Sequence, residues 1–316
     1  MNNWISRVIK FGEKIKKVIK ERPTKEEILE SSWMSCCSGP IQKKEIFNDE
    51  TQHVCPKCNK HYPLTPRQRF DFFFGKNNYT IVETPESYDD PLNWPDNVYK
   101  KKLSAARKLT DQHCSVLVAQ GIKDGINITT FAIDSRFIGG SINVSAGEAI
   151  VKACQVAIDS NNPLLAWSEG GGQSMYESNL SLHMMTKTVL AVNTLKSNNL
   201  PFINCYVNKC YGGISASFAG ISDIAFVESK STLVGFAGQH IVKNQTNEVL
   251  PANFQTASSL LQTGFVDAIY DRKEINDKII SILKILLHKH AASSEVNNEL
   301  TDETSENYKS ARKQAS

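Results

Sequence analysis

The sequence predicts an α/β fold built from stacked strand–turn–helix units. Three observations carry that expectation. Short apolar runs recur along the middle of the chain, and each ends in glycines that open a helix-like stretch. The two clearest cases are Pro163–Ser168 running into Glu169-Gly170-Gly171-Gly172, and Pro201–Val207 running into Tyr211-Gly212-Gly213. A weak internal repeat sets their phase: Ser160-Asn161-Asn162-Pro163 precedes the first run and Ser197-Asn198-Asn199-Leu200-Pro201 the second. Each closes a helix and starts a strand, which favours a right-handed pile of ββα units over scattered strands.

The 316 residues, 41% of them hydrophobic, suffice for one large domain plus a small appendage. Residues 1–30 read as a basic amphipathic helix and a charged connector. Trp4, Ile5, Val8, Ile9, Ile15, Val18 and Ile19 fall at helical spacing with lysines between them. Packing on a partner is the favoured role; Glu13 and Glu21 tell against a transit peptide. Residues 31–62 form a short Cys-containing module, 63–290 the main domain and 291–316 a polar tail expected to be disordered.

Within the main domain, Thr65-Pro66 reads as an N-cap followed by proline at the first helical position, opening a helix over Arg67–Phe74. Tyr99–Arg107 is a second exposed helix. Ser115–Ala119 and Ile126–Ala132 are strands joined by a turn at Lys123-Asp124-Gly125. Phe137-Ile138-Gly139-Gly140-Ser141 is a further glycine turn, and Gly147–Ile158 is helical by its apolar spacing. The helix-like stretches continue from Met175 and over Ile214–Ala219, and strands are expected at Asp223–Glu228 and Thr232–Ala237. Glu274–His290 is a long helix expected to face the core with Ile275, Ile279, Ile282, Leu283, Leu286 and Leu287.

The net charge of +3 is too small to imply nucleic acid, and no aromatic stacking motif accompanies the lysines. No segment has the length of a membrane span. Eight cysteines, four of them clustered near the N-terminus, suit one metal site in a reducing compartment better than a disulfide framework. Cys55-Pro56-Lys57-Cys58 has the knuckle spacing of a structural zinc site. The other half is irregular: Cys36 and Cys37 are adjacent, and Gly39 stands where a second knuckle cysteine would fall. The ligand set expected is Cys36, Cys37, Cys55 and Cys58, with His53 or His61 as substitutes.

Glycine turns at helix starts let backbone come close to a ligand and leave amide N–H groups free, so they can hold an oxyanion without a side chain. The candidate donors are Gly171, Gly172, Gly212 and Gly213, and the chemistry expected is acyl transfer through enolates. No Gly-x-Ser-x-Gly elbow or P-loop is present, so Ser174, Ser215 and Ser217 carry no mark of a nucleophile. His183 and His240 stand alone and read as packed or surface residues.

Several motifs in one order resemble the carboxyltransferase β subunits of bacterial and plastid acetyl-CoA carboxylase. They include Trp33, Cys55-Pro-Lys-Cys58, Arg67-x-Arg69, Tyr99-Lys-Lys-Lys-Leu103-Ser-Ala-Ala106, Phe137-Ile-Gly-Gly-Ser141 and Gly147-Glu148. Further along stand Gly171-Gly172-x-x-Met175-x-Glu177, Gly212-Gly213-Ile-Ser-Ala-Ser-Phe-Ala219, Gly235-Phe-Ala-Gly238, Leu250-Pro251-x-x-Phe254-Gln255 and Gly264-Phe-Val-Asp267. The resemblance spans about Trp33 to His288. It implies a crotonase (ClpP/crotonase-like) fold behind an N-terminal zinc-ribbon-like module, with zinc bound there. It also implies a heterotetramer of two α and two β subunits, acting with a biotin carboxyl carrier protein and with biotin carboxylase in a larger complex. The implied reaction carries a carboxyl group from carboxybiotin to acetyl-CoA, giving malonyl-CoA for fatty acid synthesis. Gly139, Gly140 and Ser141, with Gly235, Phe236, Ala237 and Gly238, are the implied cofactor-binding segments. The implied location is a bacterial cytoplasm, or alternatively a plastid stroma.

The chain departs from the pattern in places. Gln173-Ser174 precedes Met175 where such subunits carry an arginine, a residue suited to holding a phosphate or the turn itself. Asn143 stands where they carry glycine, and Gln239-His240 replaces a Pro-Arg pair. These departures keep two other readings open. One is a non-catalytic structural or regulatory paralogue. The other is a biotin-independent crotonase-type enzyme using the carboxylates of Glu169 and Glu177.

Overall fold

The computed structural model describes residues 32–36, 39–246 and 249–287. The expected N-terminal helix, the tail over 291–316, and Cys37 lie outside the described residues. The chain divides into two compact units between Tyr62 and Pro63.

The first unit is a hairpin of β1 (Trp33–Cys36) and β2 (Gly39–Gln42) leading into the single turn α1 (Lys43–Ile46). Its small core gathers Ile41, Ile46, Cys36 and Cys55.

The second unit begins with α2 (Pro66–Phe74), whose N-cap Thr65 accepts from Gln68 N–H while Gln68 Oε1 accepts from Thr65 N–H. Next along the chain are β3 (Tyr79–Ile81) and α3 (Val98–Thr110). β4 (Val116–Lys123) and β5 (Ile126–Ile133) form an antiparallel hairpin. Its turn residues Asp124 and Gly125 both have positive φ, 49° and 79°, as a primed two-residue turn requires. Then come β6 (Ser141–Ile142), α4 (Val144–Asp159), β7 (Leu164–Gly170), β8 (Gly172–Gln173), α5 (Ser178–Ser197) and β9 (Phe202–Tyr211). β10 (Ile224–Glu228), β11 (Leu233–Gly235), α6 (Gln239–Thr246), α7 (Ala257–Gln262), β12 (Ala268–Tyr270) and a helix α8 over 272–287 complete it.

Eight strands make one sheet in the order β12-β10-β9-β7-β5-β4-β3, with β11 paired to the far end of β9. From β5 to β12 all pairings are parallel; β3, β4 and β5 are antiparallel to one another. β6 and β8 pair in a separate two-stranded parallel sheet. The repeating unit is therefore a long strand, a glycine turn, a short strand of the second sheet and a helix: β5-β6-α4, then β7-β8-α5.

The parallel strands are covered on both faces, so their sequences run continuously apolar instead of alternating. Alternate residues of β7 serve opposite cores. Leu164 and Ala166 join Phe131, Ile150, Val192 and Leu195, on the side of α4 and α5. Leu165 and Trp167 join Phe70, Phe73, Ile275, Ile279 and Leu283, on the side of α2 and α8. A buried charge triad ties this second face together: Arg69 Nη1 lies 2.5 Å and Arg272 Nη2 2.6 Å from the Glu228 carboxylate.

Three local expectations are corrected. Ile214–Ala219 does not form an α-helix; a turn leads into a 3-10 helix over Phe218–Ile221. Ser215 Oγ donates to Gly212 O at 3.1 Å, and Ser217 Oγ donates to Gly213 O, so serine hydroxyls compete with helix amides for those carbonyls. The strand expected over Thr232–Ala237 stops at Gly235, where the backbone leaves β9. On α8, Ile280 is buried while Ile282, Leu286 and Leu287 are half-buried, so the packed stripe lies slightly off the expected one.

Candidate active site

The strand ends place four glycine turns in a row. β5 leads to the turn at Gly139-Gly140, β7 to Gly170–Gly172, β9 to Gly212-Gly213, and β11 to Gly235–Gly238. Neighbouring turns touch backbone to backbone. A Cβ on Gly170 would sit 2.5 Å from Gly140 O, and one on Gly172 would sit 2.9 Å from Gly213 N. Only glycine permits that approach, and Gly172 also has a φ of +103°. Across the third gap, Gly212 N–H donates to Phe236 O at 2.8 Å and Ser215 Oγ donates to Gly235 O at 2.9 Å. The residues singled out at Gly139–Ser141, Gly171-Gly172, Gly212-Gly213 and Gly235–Gly238 thus share one end of the sheet.

This packing changes which amides are available. The N–H of Gly171 is committed to Gly139 O at 3.0 Å, and that of Gly212 to Phe236 O. Both are corrected as free oxyanion donors, because inter-turn pairing uses them. Gly172 lies in β8, opposite Ser141 of β6. At the third turn the first backbone bond back is Ala216 N–H to Gly212 O at 3.1 Å. The N–H groups of Gly213, Ile214 and Ser215 ahead of it have no hydrogen-bond acceptor among the described residues.

A cavity of about 670 Å³ opens beside this turn, lined by Ser215, Phe236, Ala237, Val242, Phe254 and Phe265 among others. Phe236 is 72% exposed at its rim. Gln255 shapes the same wall: its Nε2 donates to Ala237 O at 2.6 Å, and its backbone holds a positive φ of 60°. Gln173 lies over Gly213, with its Nε2 on Ser181 O at 2.6 Å.

The departures have structural roles here. Asn143 is the N-cap of α4; its Oδ1 accepts from Ala146 N–H at 2.9 Å. Ser174 is buried, and its carbonyl accepts from Ser181 Oγ at 2.7 Å. Gln239 Nε2 donates to Phe254 O at 2.6 Å, beside the cavity. His183 is exposed on α5, and the side chain of His240 is outside the described residues.

Neither candidate carboxylate is free for acid–base work. Glu177 accepts from Tyr99 Oη and from Val144 N–H at the start of α4, each at 2.7 Å. Glu169 accepts from Ser135 N–H at 3.1 Å and from Asn208 Nδ2. Burial pushes the Glu169 carboxyl above its ordinary value, against the opposing pull of the Ser135 and Asn208 hydrogen bonds and of Arg69.

In the N-terminal unit, the thiols of Cys36, Cys55 and Cys58 lie within 4.8 Å of one another, Cys36 Sγ being 3.5 Å from Cys55 Sγ and 3.2 Å from Cys58 Sγ. Thiolates on a tetrahedral zinc ion, at about 2.3 Å each, stand about 3.8 Å apart, so the three sulfurs suit a common ion. The half-knuckle expected from Cys55 and Cys58 therefore converges with Cys36 despite the missing spacing. His61 is buried in the same unit.

Comparison with known proteins places these features. The carboxyl transferase domain model matches residues 94–311. An acetyl-coenzyme A carboxylase carboxyl transferase subunit beta from Pelagibacter ubique is 46% identical over 303 residues, covering 96% of this chain and 97% of that protein. The corresponding subunit of Clostridioides difficile is 32% identical, covering 84% and 92%. Among solved structures, a Pseudomonas malonate decarboxylase hetero-tetramer superposes with a TM-score of 0.56 at 21% identity, over 69% of this chain and 81% of that one. The transcarboxylase 12S core superposes with a TM-score of 0.57 at 19% identity, over 77% and 42%. The likeness to these two structures shows that the α/β fold of the main domain is shared with them. The chain belongs to the family of acetyl-coenzyme A carboxylase carboxyl transferase β subunits. No helix among the described residues is long and apolar enough to cross a membrane.

Proposed function

We propose that this chain is the β half of a carboxyltransferase that moves a carboxyl group from carboxybiotin to acetyl-CoA, producing malonyl-CoA for fatty acid synthesis. In this reading it works in an α2β2 assembly with an α subunit. It is served by a biotin carboxyl carrier protein and, in the larger complex, by biotin carboxylase. The observation that supports it is the row of four glycine turns, the third of which carries the amides of Gly213, Ile214 and Ser215, without acceptors among the described residues, and meets an apolar-walled cavity at Ser215.

Carboxybiotin, when bound, supplies the carboxyl group. The residues of this chain supply the electrostatics. As the thioester of acetyl-CoA gives its α-proton to the ureido group that the carboxyl leaves, charge would build on the thioester oxygen, and the amides of the third turn are fixed donors for it. Removing one comparable donor costs about 3 kcal/mol of barrier, roughly a hundredfold in rate. Phe236, Val242, Phe254 and Phe265 give that cavity an apolar wall. Both oxygens of Glu169 and of Glu177 already accept hydrogen bonds, which disfavours a hydratase mechanism on paired carboxylates. Cys36, Cys55 and Cys58 would hold a structural zinc ion, with Cys37 the adjacent candidate for a fourth ligand.

The test is co-purification with an α-type subunit, then malonyl-CoA formation from acetyl-CoA and carboxylated carrier. Turnover that requires both subunits is expected. An intact complex without turnover would show the non-catalytic paralogue. Hydration of an enoyl-CoA without biotin would show the crotonase-type enzyme. Metal analysis of the same preparation should find one zinc per chain, lost in Cys55→Ser.

A further inference from the structure

The geometry points to Glu169 as a positioning residue: its carboxylate clamps the turn after β5 to a bulge in β9 and so sets the spacing of the three glycine turns between them. The proposal rests on the carboxyltransferase reading only for its activity readout.

β7 and β9 pair regularly from Leu164↔Phe202 to Ser168↔Tyr206, and the next pair is Gly170↔Cys210. One residue of β7, Glu169, therefore faces three of β9: Val207, Asn208 and Lys209. Asn208 carries the irregularity, with a φ of 51°. Such a bulge bends its strand and re-aims the residues beyond it, here the turn at Gly212-Gly213. The Glu169 side chain stands across it. One carboxylate oxygen accepts the Asn208 amide; the other accepts Ser135 N–H at 3.1 Å, where the turn carrying Gly139-Gly140 begins. The carboxylate is thus bonded to the strand ends on both sides of its own. Glu169 is 2% exposed, so water does not compete for these bonds.

Both partners are donors, and only the ionised carboxylate accepts at both oxygens. The charged groups that act on it are Arg69 on α2, Arg272 on α8 and Arg136 after β5; the first two are themselves paired with Glu228 of β10 and the third with Asp134, and the titratable thiol of Cys210 on β9 faces it as well. Protonation on acidification turns one acceptor into a donor and opens the clamp, so activity falls on the acid side. Stability responds with the opposite sign. Burial raises the folded pKa, so the folded state takes up the proton more readily than the unfolded chain. This group's contribution then grows as pH falls through the window between the unfolded and folded values.

Three substitutions test the clamp in the α–β complex. Glu169→Leu removes both acceptors, and Asn208→Asp sets carboxylate against carboxylate. Glu169→Gln keeps both bonds, because the Asn208 carboxamide can turn over so that its oxygen accepts the Gln amide while the Gln oxygen accepts Ser135 N–H. Added to Asn208→Asp, Glu169→Gln restores the broken bond, the Gln amide donating to the Asp carboxylate; Asp tolerates the left-handed backbone at this position. Glu169→Leu and Asn208→Asp should each lose about a hundredfold in kcat with KM for acetyl-CoA changed less than about threefold, as expected of turns displaced by about 1 Å. The Glu169→Gln/Asn208→Asp double variant should recover to within about threefold of the parent, and Glu169→Gln alone should lack the acid limb. A double variant as slow as Asn208→Asp, a Glu169→Leu enzyme at parent rate, or an acid limb kept in Glu169→Gln overturns the clamp. Hydrogen exchange at 137–141 and 211–215 reads the clamp without turnover: faster in Glu169→Leu and Asn208→Asp, restored in the double variant. If the parent complex itself is inactive, the functional reading fails while exchange still decides the clamp. Unchanged exchange in Glu169→Leu and Asn208→Asp overturns it.

Discussion

The glycine turns that close β7 and β9, the first and second of a pair, look equivalent in sequence: each ends a buried parallel strand, and each carries a glycine pair. Their structures divide the labour. The turn at Gly170–Gly172 is an internal spacer. Its Gly171 N–H is spent on Gly139 O, and the chain continues directly into β8 of the small sheet. The turn at Gly212-Gly213 is an open end. Serine hydroxyls take its carbonyls, and its next three amides are left without acceptors among the described residues. A glycine pair thus signals that backbone must come close to something. Whether that something is another turn or a substrate is decided by tertiary pairing.

The comparison is broken most sharply inside the first turn, where adjacent glycines should respond in opposite ways. A methyl on Gly172 meets the backbone of Gly213 at 2.9 Å on a residue with φ of +103°. Neither strand end can yield without separating the two turns. Gly172→Ala should lower kcat by about a hundredfold or more while the α–β complex still assembles. Gly171 has no positive φ, and its nearest atom would be Gly139 O at 3.9 Å from the new methyl. Gly171→Ala should keep parent activity and gain up to about 0.5 kcal/mol of stability through the unfolded chain. Equal losses in the two variants would mean that Gly171, not the spacing of the turns, supplies the chemistry.

Much of this is legible in the residues. Apolar runs ending in glycine locate β5, β7, β9 and their turns, because a buried parallel strand needs a continuous apolar run and a close backbone approach needs glycine. Thr65-Pro66 announces α2, since capping is a local interaction. The hidden part depends on contacts distant in sequence. Gly139 and Gly171 are paired only once the strands are stacked, so nothing local marks the Gly171 amide as occupied. Glu169 and Asn208 look like unrelated polar residues until the bulge of β9 brings them together. Cys36 carries no knuckle spacing, yet the β1-β2 hairpin delivers its sulfur to the Cys55-Cys58 turn. Phe236 reads as part of a strand in the sequence; it is exposed because β11 ends one residue earlier.

The smallest expected effect sharpens the account of the second turn. Ser215 sits among the open amides and is the side chain nearest to looking like a nucleophile. Its single hydroxyl proton is shared between Gly212 O at 3.1 Å and Gly235 O at 2.9 Å, so it is directed to the backbone, and no side-chain base accepts from it among the described residues. Ser215→Ala should therefore cost about 1 kcal/mol of stability, the worth of a net hydrogen bond, and reduce kcat only a few-fold. A nucleophile removed at the same place would cost about a millionfold. Thermal unfolding and steady-state kinetics on the α–β complex separate the two. A small loss leaves the amides of Gly213, Ile214 and Ser215 as the reactive feature of the open turn, since alanine keeps the backbone donor that serine provided. A collapse in rate would move the chemistry from main chain to side chain and erase the distinction between a spacer turn and a catalytic one.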